Sequence, residues 1–177
     1  CKRAKQNKGL YFHCRIFNQI FVVINILIQD NIFSIREANL KDFYWLEEFE
    51  NNIFSNNHKN IYKNILNKYK NNNYYIYIGC LNNLKIAYIA SQLIHEEFNI
   101  YNLAVMEKYR NKGFASKLLC YVFEHLKDRI NTAYIEVRET NFQALQFYRK
   151  FGFVEYNIRE NYYSSPTENA ILMQYKF

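Results

Sequence analysis

The chain has 177 residues, of which 50% are apolar, 19% aromatic and 22% charged, and its formal net charge is +7. Such a chain can bury a core without disulfides or metals, so a wholly disordered or collagen-like chain is excluded. It contains no apolar run of roughly 18 residues, which argues against a membrane-spanning helix in the body of the protein. Residues 1–30 hold five basic groups and one acidic group, and the surplus of +3 that remains is too small to require nucleic acid as a partner.

The first thirty residues are predicted to be an N-terminal extension outside the folded domain. Basic residues come first, an apolar stretch follows at residues 16–28, and a polar break ends it at residues 29–31. This order is typical of a targeting sequence, and an unstructured addition fits it equally well. We therefore predict an extension over residues 1–30 and one domain over 31–177, located in the cytoplasm or, if the extension is a targeting sequence, in an organelle.

Hydrophobic periodicity predicts an α/β domain with a mixed sheet. Asn39 is expected to cap a first helix that places Leu40, Phe43, Leu46 and Phe49 on one side. The predicted strands cover residues 33–36, 74–80, 85–95, 99–105, 132–137, 153–159 and 169–176, and the predicted helices cover 39–52, 58–71, 113–129 and 140–150.

Turn and cap residues separate these elements. Asn82 and Asn83 predict a hairpin turn between the second and third strands. Thr140 and Gln143 have the spacing of a capping box that opens the last helix, and Gly152 is expected to end it.

The four cysteines, Cys1, Cys14, Cys80 and Cys120, show neither CxxC spacing nor a nearby pair of histidines. We therefore expect no metal site and no disulfide framework, and we predict that Cys80 and Cys120 are buried thiols.

The sharpest local feature lies between the strand that ends at Val105 and the helix that begins near Gly113. Residues 109–116 read YRNKGFAS. Free backbone N–H groups and the positive end of a helix dipole form a ready site for pyrophosphate, and Arg110 and Lys112 add positive charge. The pattern RxxGxA alone is weak evidence, because a glycine at a helix start is often only a turn.

Several motifs in order resemble the GCN5-related N-acetyltransferase (GNAT) superfamily. Its pattern Q/R-x-x-G-x-G/A matches RNKGFA, and YNLAV, IEVRETN and ALQFYRKFGF stand in family order around it. Together with RENYY at residues 159–163, they resemble the branch of ribosomal-protein-alanine N-acetyltransferases and of N-terminal acetyltransferase catalytic subunits. The resemblance covers residues 32–177. It implies the GNAT acyl-CoA N-acyltransferase fold, in which about four helices flank a mixed, mostly antiparallel, twisted sheet.

The resemblance also implies acetyl-CoA as co-substrate and no metal. The backbone of Leu103, Ala104 and Val105 would line the acetyl and pantetheine part, and Asn141 would hydrogen-bond the pantetheine arm. The pyrophosphate would lie on Arg110, Asn111, Lys112, Gly113, Phe114, Ala115 and Ser116. From the residues alone, Leu103 and Val105 are equally ordinary core residues, and Asn141 is equally a helix cap.

Two residues match the proton-transfer groups of the family. Glu136 matches the general base that takes the ammonium proton, and Tyr148 matches the general acid that protonates the departing thiolate. A phenol of pKa about 10 can donate to a thiolate whose thiol has a pKa of about 8.5, although the transfer is modestly uphill. A backbone N–H of residues 103–105 would polarise the carbonyl. From the residues alone, Glu136 could instead pair with Arg138 or a lysine, and Tyr148 could be a core aromatic.

An N-terminal α-amine is the favoured acceptor. With a pKa of about 7.8 it is about one-tenth neutral at pH 7, whereas a lysine is neutral only at a few parts in ten thousand. Tyr162 and Tyr163 match the paired tyrosines with which the N-terminal branch holds its acceptor. Residues 46–60 form the other acceptor wall in relatives, but here they lack the family's Phe-Pro-Trp-like turn, and the proline usual before Tyr109 is also absent. The preferred first residue is therefore left open.

The sequence thus predicts direct acetyl transfer to a protein or peptide N-terminus, with ribosomal proteins as one acceptor class. Two alternatives remain open, namely a family member that acetylates a lysine or a small amine, and a catalytically silent acyl-CoA-binding module. The paired tyrosines argue against the first, and the presence of both Glu136 and Tyr148 argues against the second. The sequence does not indicate an oligomeric state.

Overall fold

A computed structural model of the chain describes residues 32–53 and 73–177, and its strands form one seven-stranded mixed sheet. The strands are β1 (Phe33–Glu37), β2 (Tyr74–Leu81), β3 (Leu84–Ile94), β4 (Glu97–Val105), β5 (Thr132–Arg138), β6 (Val154–Ser164) and β7 (Thr167–Lys176). The α-helices of the described residues are α1 (Phe43–Ile53), α2 (Phe114–Leu126) and α3 (Phe142–Lys150). None of them is long and apolar enough to cross a membrane. The predicted extension and the predicted helix at 58–71 lie outside the described residues.

The order of elements confirms the predicted α/β architecture. The strands lie in the order β1-β2-β3-β4-β5-β7-β6, and every neighbouring pair is antiparallel except β4 and β5. The parallel pairing joins residues 97–100 to residues 132–135 and stops there, although both strands continue. β4 and β5 therefore diverge and leave a gap beside residues 101–105, in the middle of the sheet.

A β-bulge in β4 lies at the point of divergence. Asn102 pairs with Ala90 of β3 and Ile100 pairs with Ser91, so Tyr101 is an extra residue in β4. A bulge bends its strand and increases the local twist. Because Ile100 is also the last residue of β4 that pairs with β5, the bulge begins where the gap begins.

The helices cover the two faces of the sheet unequally. α1 buries Phe43, Leu46 and Phe49 against one face, called here the α1 face. α2 and α3 pack on the opposite face, called the α2/α3 face, which also holds the larger part of the core. Alternate residues of β5 are buried on the α2/α3 face, so Glu136 and its neighbours two residues away point to the α1 face.

The start of α1 corrects one expectation. Asn39 is a cap, but of the 3-10 turn that precedes α1: its Oδ1 accepts a hydrogen bond from the Lys41 N–H at 3.0 Å and its own N–H donates to Asp42 at 2.9 Å. Residues 40–42 form this 3-10 turn. The prediction that Leu40 belongs to the buried side is wrong, because this turn rotates Leu40 out of the helical stripe and leaves it 61% exposed.

The predicted turns are confirmed by their backbone angles. Asn82 and Asn83 have φ of 49° and 66° in the β2–β3 hairpin, and Gly152 has φ of 91° after the end of α3. Asn and Gly are the residues that adopt this left-handed region most readily. Cys80 is buried as predicted, whereas Cys120 is only partly buried.

Candidate active site

The gap between β4 and β5 presents backbone groups of β4 that β5 does not pair with. The Met106 N–H donates to the Ile86 carbonyl of β3 at 2.8 Å. Because N–H groups alternate along an antiparallel strand, Ala104 also donates toward β3, and the N–H groups of Leu103 and Val105 point into the gap. These two N–H groups are donors placed for a carbonyl oxygen held along β4.

The loop after β4 turns through two left-handed residues before α2 begins. Asn111 has φ of 60° and Gly113 has φ of 80°. Gly113 is the residue before the first turn of α2, whose leading N–H groups have no acceptor within the helix. The loop and the positive helix end together suit an anion such as a pyrophosphate.

The two predicted basic side chains of this loop are exposed, but they also make contacts within the chain. Arg110 Nε donates to the Val105 carbonyl at 3.1 Å, which ties the loop to the end of β4. Lys112 Nζ lies 5.6 Å from the centre of the Tyr109 ring. Both side chains remain accessible to an anion bound at the helix start.

Phe114, Ala115 and Ser116 form the first turn of α2 rather than a side-chain site. Phe114 is buried, and its ring centre lies 4.8 Å from that of Phe33. Ala115 and Ser116 are partly buried. These residues can therefore face a ligand mainly through their backbone N–H groups.

Asn141 is the N-cap of α3, which corrects the expected capping box. Its Oδ1 accepts a hydrogen bond from the Ala144 N–H at 3.1 Å. The Thr140–Gln143 capping box is wrong, because the Thr140 hydroxyl donates instead to Glu168 of β7 at 2.6 Å. The buried Glu168 carboxylate also accepts the Thr140 N–H, and these bonds lower the pKa of Glu168. A contact of Asn141 with a coenzyme stays a prediction.

Glu136 lies on the α1 face of β5, one residue beyond the last β4–β5 pair. Its carboxylate forms an ion pair with Arg159 of β6, and within residues 32–53 and 73–177 it pairs with neither Arg138 nor a lysine. The Glu136 side chain is 34% exposed, so a ligand can reach it. Hydrogen bonding to Glu136 raises the pKa of Tyr162. A carboxylate flanked by a guanidinium and a phenol thus stands at the mouth of the gap.

A bulge in β6 brings the predicted tyrosines to Glu136. The β6–β7 register moves from Arg159–Ala170 to Tyr163–Glu168, so residues 160–162 of β6 face only one residue of β7. The bulge includes Asn161, which has φ of 52° and whose N–H donates to Asn169 Oδ1 at 2.9 Å. The expected strand over 153–159 ended too early, since the bulged residues do not follow the alternating pattern of a regular strand.

Arg138 holds Tyr163 in place. Its guanidinium carbon lies 4.0 Å from the centre of the Tyr163 ring, and its Nη1 pairs with Glu168 at 2.9 Å. Burial raises the pKa of Tyr163 to about 12, and the charge of Glu136 adds to this effect. Tyr163 therefore stays protonated near neutral pH, and its ring lines the opening in a fixed position. Tyr162 is 48% exposed and accessible.

Sequence reasoning missed two neighbours of Glu136. Tyr101 is the bulged residue of β4, and its hydroxyl donates to Gln92 Oε1 at 2.6 Å. Burial raises the pKa of Tyr101 to about 12, with added effects of Tyr74 and Glu136. The YNLAV motif gives no sign of a bulge, so Tyr101 could not be predicted. Arg159 begins the RENYY motif, but the motif does not show that its side chain pairs with Glu136.

Tyr148 lies on α3, on the opposite face of the sheet from Glu136. It is 5% exposed, and its ring packs edge to face on Phe147 and Phe153, each with a centroid separation of 5.1 Å. Burial raises the pKa of Tyr148 well above its usual value, so the hydroxyl keeps its proton. This position agrees with a core aromatic, and the protonated state agrees with a proton donor.

The arrangement can serve two ligands that meet in the gap from opposite faces. The Glu136 carboxylate stands on the α1 face, and the buried phenol of Tyr148 stands on the α2/α3 face, on which α2 also packs. The backbone donors of β4 lie between them. Within residues 32–53 and 73–177, no group of three His, Cys, Asp or Glu side chains could hold a metal ion.

Comparisons with known proteins agree with this geometry. Residues 33–153 match the family described as "Acetyltransferase (GNAT) family". The [ribosomal protein bS18]-alanine N-acetyltransferase of Haemophilus influenzae is 38% identical over 96 residues, which cover 52% of this chain and 65% of that protein. The match thus spans less than two thirds of the length of this curated relative.

Solved structures resemble the whole sheet. The ribosomal-protein-S18-alanine N-acetyltransferase of Escherichia coli superposes with a TM-score of 0.72 and 26% identity, over 82% of this chain and 94% of that one. A GNAT family acetyltransferase from Elizabethkingia anophelis with acetyl-CoA bound gives a TM-score of 0.63 at 20% identity, over 82% of this chain and 98% of that one.

Proposed function

Since the chain belongs to the GNAT acetyltransferase family, we propose that it transfers the acetyl group of acetyl-CoA to the α-amine at the N-terminus of a protein. The observation that carries this proposal is the cluster on the α1 face, where the β6 bulge brings Tyr162 and Tyr163 to the Glu136 carboxylate. Two phenols and a carboxylate around one opening suit the first peptide groups of a chain end together with its amine.

Acetyl-CoA fits the residues on the other side of the gap. Leu103 and Val105 offer N–H groups along the gap, and the left-handed turn at Asn111 and Gly113 offers N–H groups and a helix end to the pyrophosphate. Asn141 would hydrogen-bond the pantetheine arm. When bound, acetyl-CoA supplies the acetyl thioester.

Two side chains of this chain would handle the protons. Glu136 accepts the proton of the acceptor ammonium, directly or through one water. Arg159 forms an ion pair with the Glu136 carboxylate, and its side chain is 51% exposed. It can therefore turn into solvent and release Glu136 when an amine binds. Tyr148 holds a proton for the thiolate sulfur, and the N–H groups of β4 polarise the carbonyl.

The acceptor class follows from proton affinity and from the relatives. An α-amine of pKa about 7.8 gives up its proton far more readily than a lysine of pKa about 10.4. The relatives to which the chain is similar are named as N-acetyltransferases of an alanine of ribosomal protein S18. We therefore include ribosomal proteins with N-terminal alanine among the proposed acceptors.

The test is release of CoA from acetyl-CoA by the full chain, with short peptides as acceptors. The panel holds peptides with free N-terminal Ala, Ser, Gly or Met, and matched N-acetylated peptides that contain one lysine. We expect turnover with free N-termini at least about tenfold above that with blocked peptides, because of the difference in amine pKa. Mass spectrometry locates the added acetyl group.

Two outcomes would overturn the proposal. Turnover confined to the blocked lysine peptides would assign the chain to acceptors with side-chain amines. Tight binding of acetyl-CoA without turnover on any acceptor would favour a silent acyl-CoA-binding module.

A further inference from the structure

A second polar cluster lies on the α1 face, apart from the residues assigned above. It consists of Glu50 on α1, Tyr88 on β3 and Asn102 on β4. Glu50 is 5% exposed, and its Oε1 accepts hydrogen bonds from the Tyr88 hydroxyl and from Asn102 Nδ2, the latter at 2.8 Å. Burying a carboxylate is unfavourable unless such donors reach it, so the three side chains constrain one another.

The cluster sets the orientation of the Asn102 amide. Glu50 Oε1 accepts the hydrogen bond from Asn102 Nδ2, so the NH2 group faces Glu50 and the carbonyl oxygen points away. Across the described parts of the chain, no side chain or backbone group donates to that oxygen. Asn102 is partly buried, and its oxygen is an acceptor still open to a ligand.

Asn102 also lies at the right place. It follows the bulged Tyr101, in the part of β4 that has parted from β5. The side chains of Asn102 and Ala104 point to the α1 face of the sheet, where Asn102 meets Glu50 of α1. Glu136 of β5 points to the same face. Asn102 and Glu136 therefore stand on the two strands that border the gap, on the face from which the acceptor enters.

For the amine to attack, its lone pair must be held in one direction, and two hydrogen-bond acceptors can hold it there. A neutral primary amine has two N–H groups and one lone pair, and the lone pair must point at the acetyl carbon. One acceptor alone leaves the amine free to rotate about that hydrogen bond. A second acceptor on the other side of the gap fixes its direction.

We propose that the Asn102 side-chain oxygen is this second acceptor and that Glu50, together with Tyr88, is the positioning residue that turns it toward the gap. The inference rests on the proposed function, because it assumes an amine acceptor entering from the α1 face. The inference adds two residues to the site: Asn102 of β4, which binds the acceptor amine, and Glu50 of α1, which acts only by orienting Asn102.

The test compares five forms of the full chain with one free-amine peptide: wild type, Asn102→Ala, Glu50→Ala, the double variant and Asp42→Asn. We expect Asn102→Ala and Glu50→Ala each to lower kcat/KM for the peptide about 10- to 100-fold. The acetyl-CoA dissociation constant should stay within about twofold of wild type. The kcat/KM of the double variant should be no more than about twofold below that of Asn102→Ala, because both substitutions remove the same oriented Asn102 oxygen.

Asp42→Asn is the matched control. Asp42 is another buried carboxylate at the start of the same helical segment, and it pairs with Arg36 at 2.7 Å and Lys85 at 2.8 Å. Its loss should lower the melting temperature while kcat/KM for the peptide stays within about threefold, since neither partner borders the gap. If Glu50→Ala fails to fold, Asn102→Ala and Asn102→Leu test the oxygen directly.

The outcomes separate this inference from the proposed function. An active wild type with an equally active Asn102→Ala overturns the inference alone, and so do single effects that multiply in the double variant. A wild type that neither binds nor acetylates the free-amine peptide overturns both the inference and the proposed function. Loss of peptide turnover in Asn102→Ala with unchanged acetyl-CoA affinity supports the inference.

Discussion

The two sides of the β4–β5 gap are built from different kinds of chemical group. On the α2/α3 side, one contiguous stretch from Leu103 to Ser116 offers mainly backbone N–H groups and a helix end. On the α1 side, the groups are side chains such as Glu136, Arg159 and Tyr162, which come from separate strands. A site made of backbone depends on φ angles, whereas a site made of side chains depends on individual polar atoms. Substitutions should therefore affect the two sides in different ways.

The largest effect is expected on the side made of side chains, from Glu136→Gln. The amide cannot take the amine proton, so kcat should fall by about 10- to 10,000-fold while acetyl-CoA affinity stays nearly unchanged. Steady-state kinetics and equilibrium binding of acetyl-CoA measure the two quantities.

Glu155→Gln is the control for Glu136→Gln. Glu155 also forms an exposed ion pair with an arginine, Arg149, but it lies away from the gap. Exposed ion pairs contribute about 1 kcal/mol or less, so this variant should keep wild-type turnover. Equal kcat in both variants and the wild type would remove Glu136 from the proposed mechanism.

Tyr148→Phe tests the proposed proton donor, which lies on the opposite face of the sheet from Glu136. We expect kcat to fall about 10- to 1,000-fold without weaker acetyl-CoA binding, because only the hydroxyl is removed. Burial raises the pKa of Tyr148, so the phenol is protonated below its ordinary pKa and remains so as pH rises toward 10. Tyr148 should therefore cause no loss of wild-type kcat between pH 7 and about 9.5.

Tyr175→Phe is the matched control, since Tyr175 is another buried tyrosine of the same core. Its turnover should stay close to wild type. The proposed role of Tyr148 would be contradicted by a Tyr148→Phe variant with wild-type kcat, or by a basic limb with a pKa below about 9.5 that is absent from this variant.

The side made of backbone should respond most to a change in allowed φ. Gly113→Val places a β-branched residue at φ of 80°, which is strained, so the loop should shift and acetyl-CoA affinity should fall about 10- to 100-fold. Asn83→Val is the control, because Asn83 has φ of 66° in a hairpin that takes no part in the gap. Calorimetric titration with acetyl-CoA should show weaker binding only for Gly113→Val, and equal affinity in both would place the pyrophosphate elsewhere.

The sequence predicted the local structure on the backbone side of the gap better than the contacts on the side-chain side. RNKGFA is contiguous, and a strand, a short loop and a helix start are local structures, so the turn at Gly113 could be predicted from spacing alone. The family resemblance gave Glu136, Tyr162 and Tyr163 as separate residues. It did not give Arg159 as the partner of Glu136, because the two residues lie on separate strands, β6 and β5, which come together only when both pair with β7.

The same division explains the errors. Thr140 and Gln143 have the spacing of a capping box, but the Thr140 hydroxyl bonds Glu168, which is distant in sequence and adjacent in the sheet. Leu40 fits a helical stripe, but the Asn39–Asp42 cap turns it outward before α1 begins. In both cases a local pattern competed with another hydrogen bond, and the pattern alone did not say which would form.

The sequence by itself determined the α/β class, the succession of strands and helices along the chain, the turns at Asn82 and Gly152, and the loop before α2, because each depends on neighbouring residues. The tertiary structure decided where β4 leaves β5, which face Glu136 occupies, and that Glu50 meets Asn102. These features depend on strand register, bulges and buried hydrogen bonds between distant segments, and no local pattern carries that information.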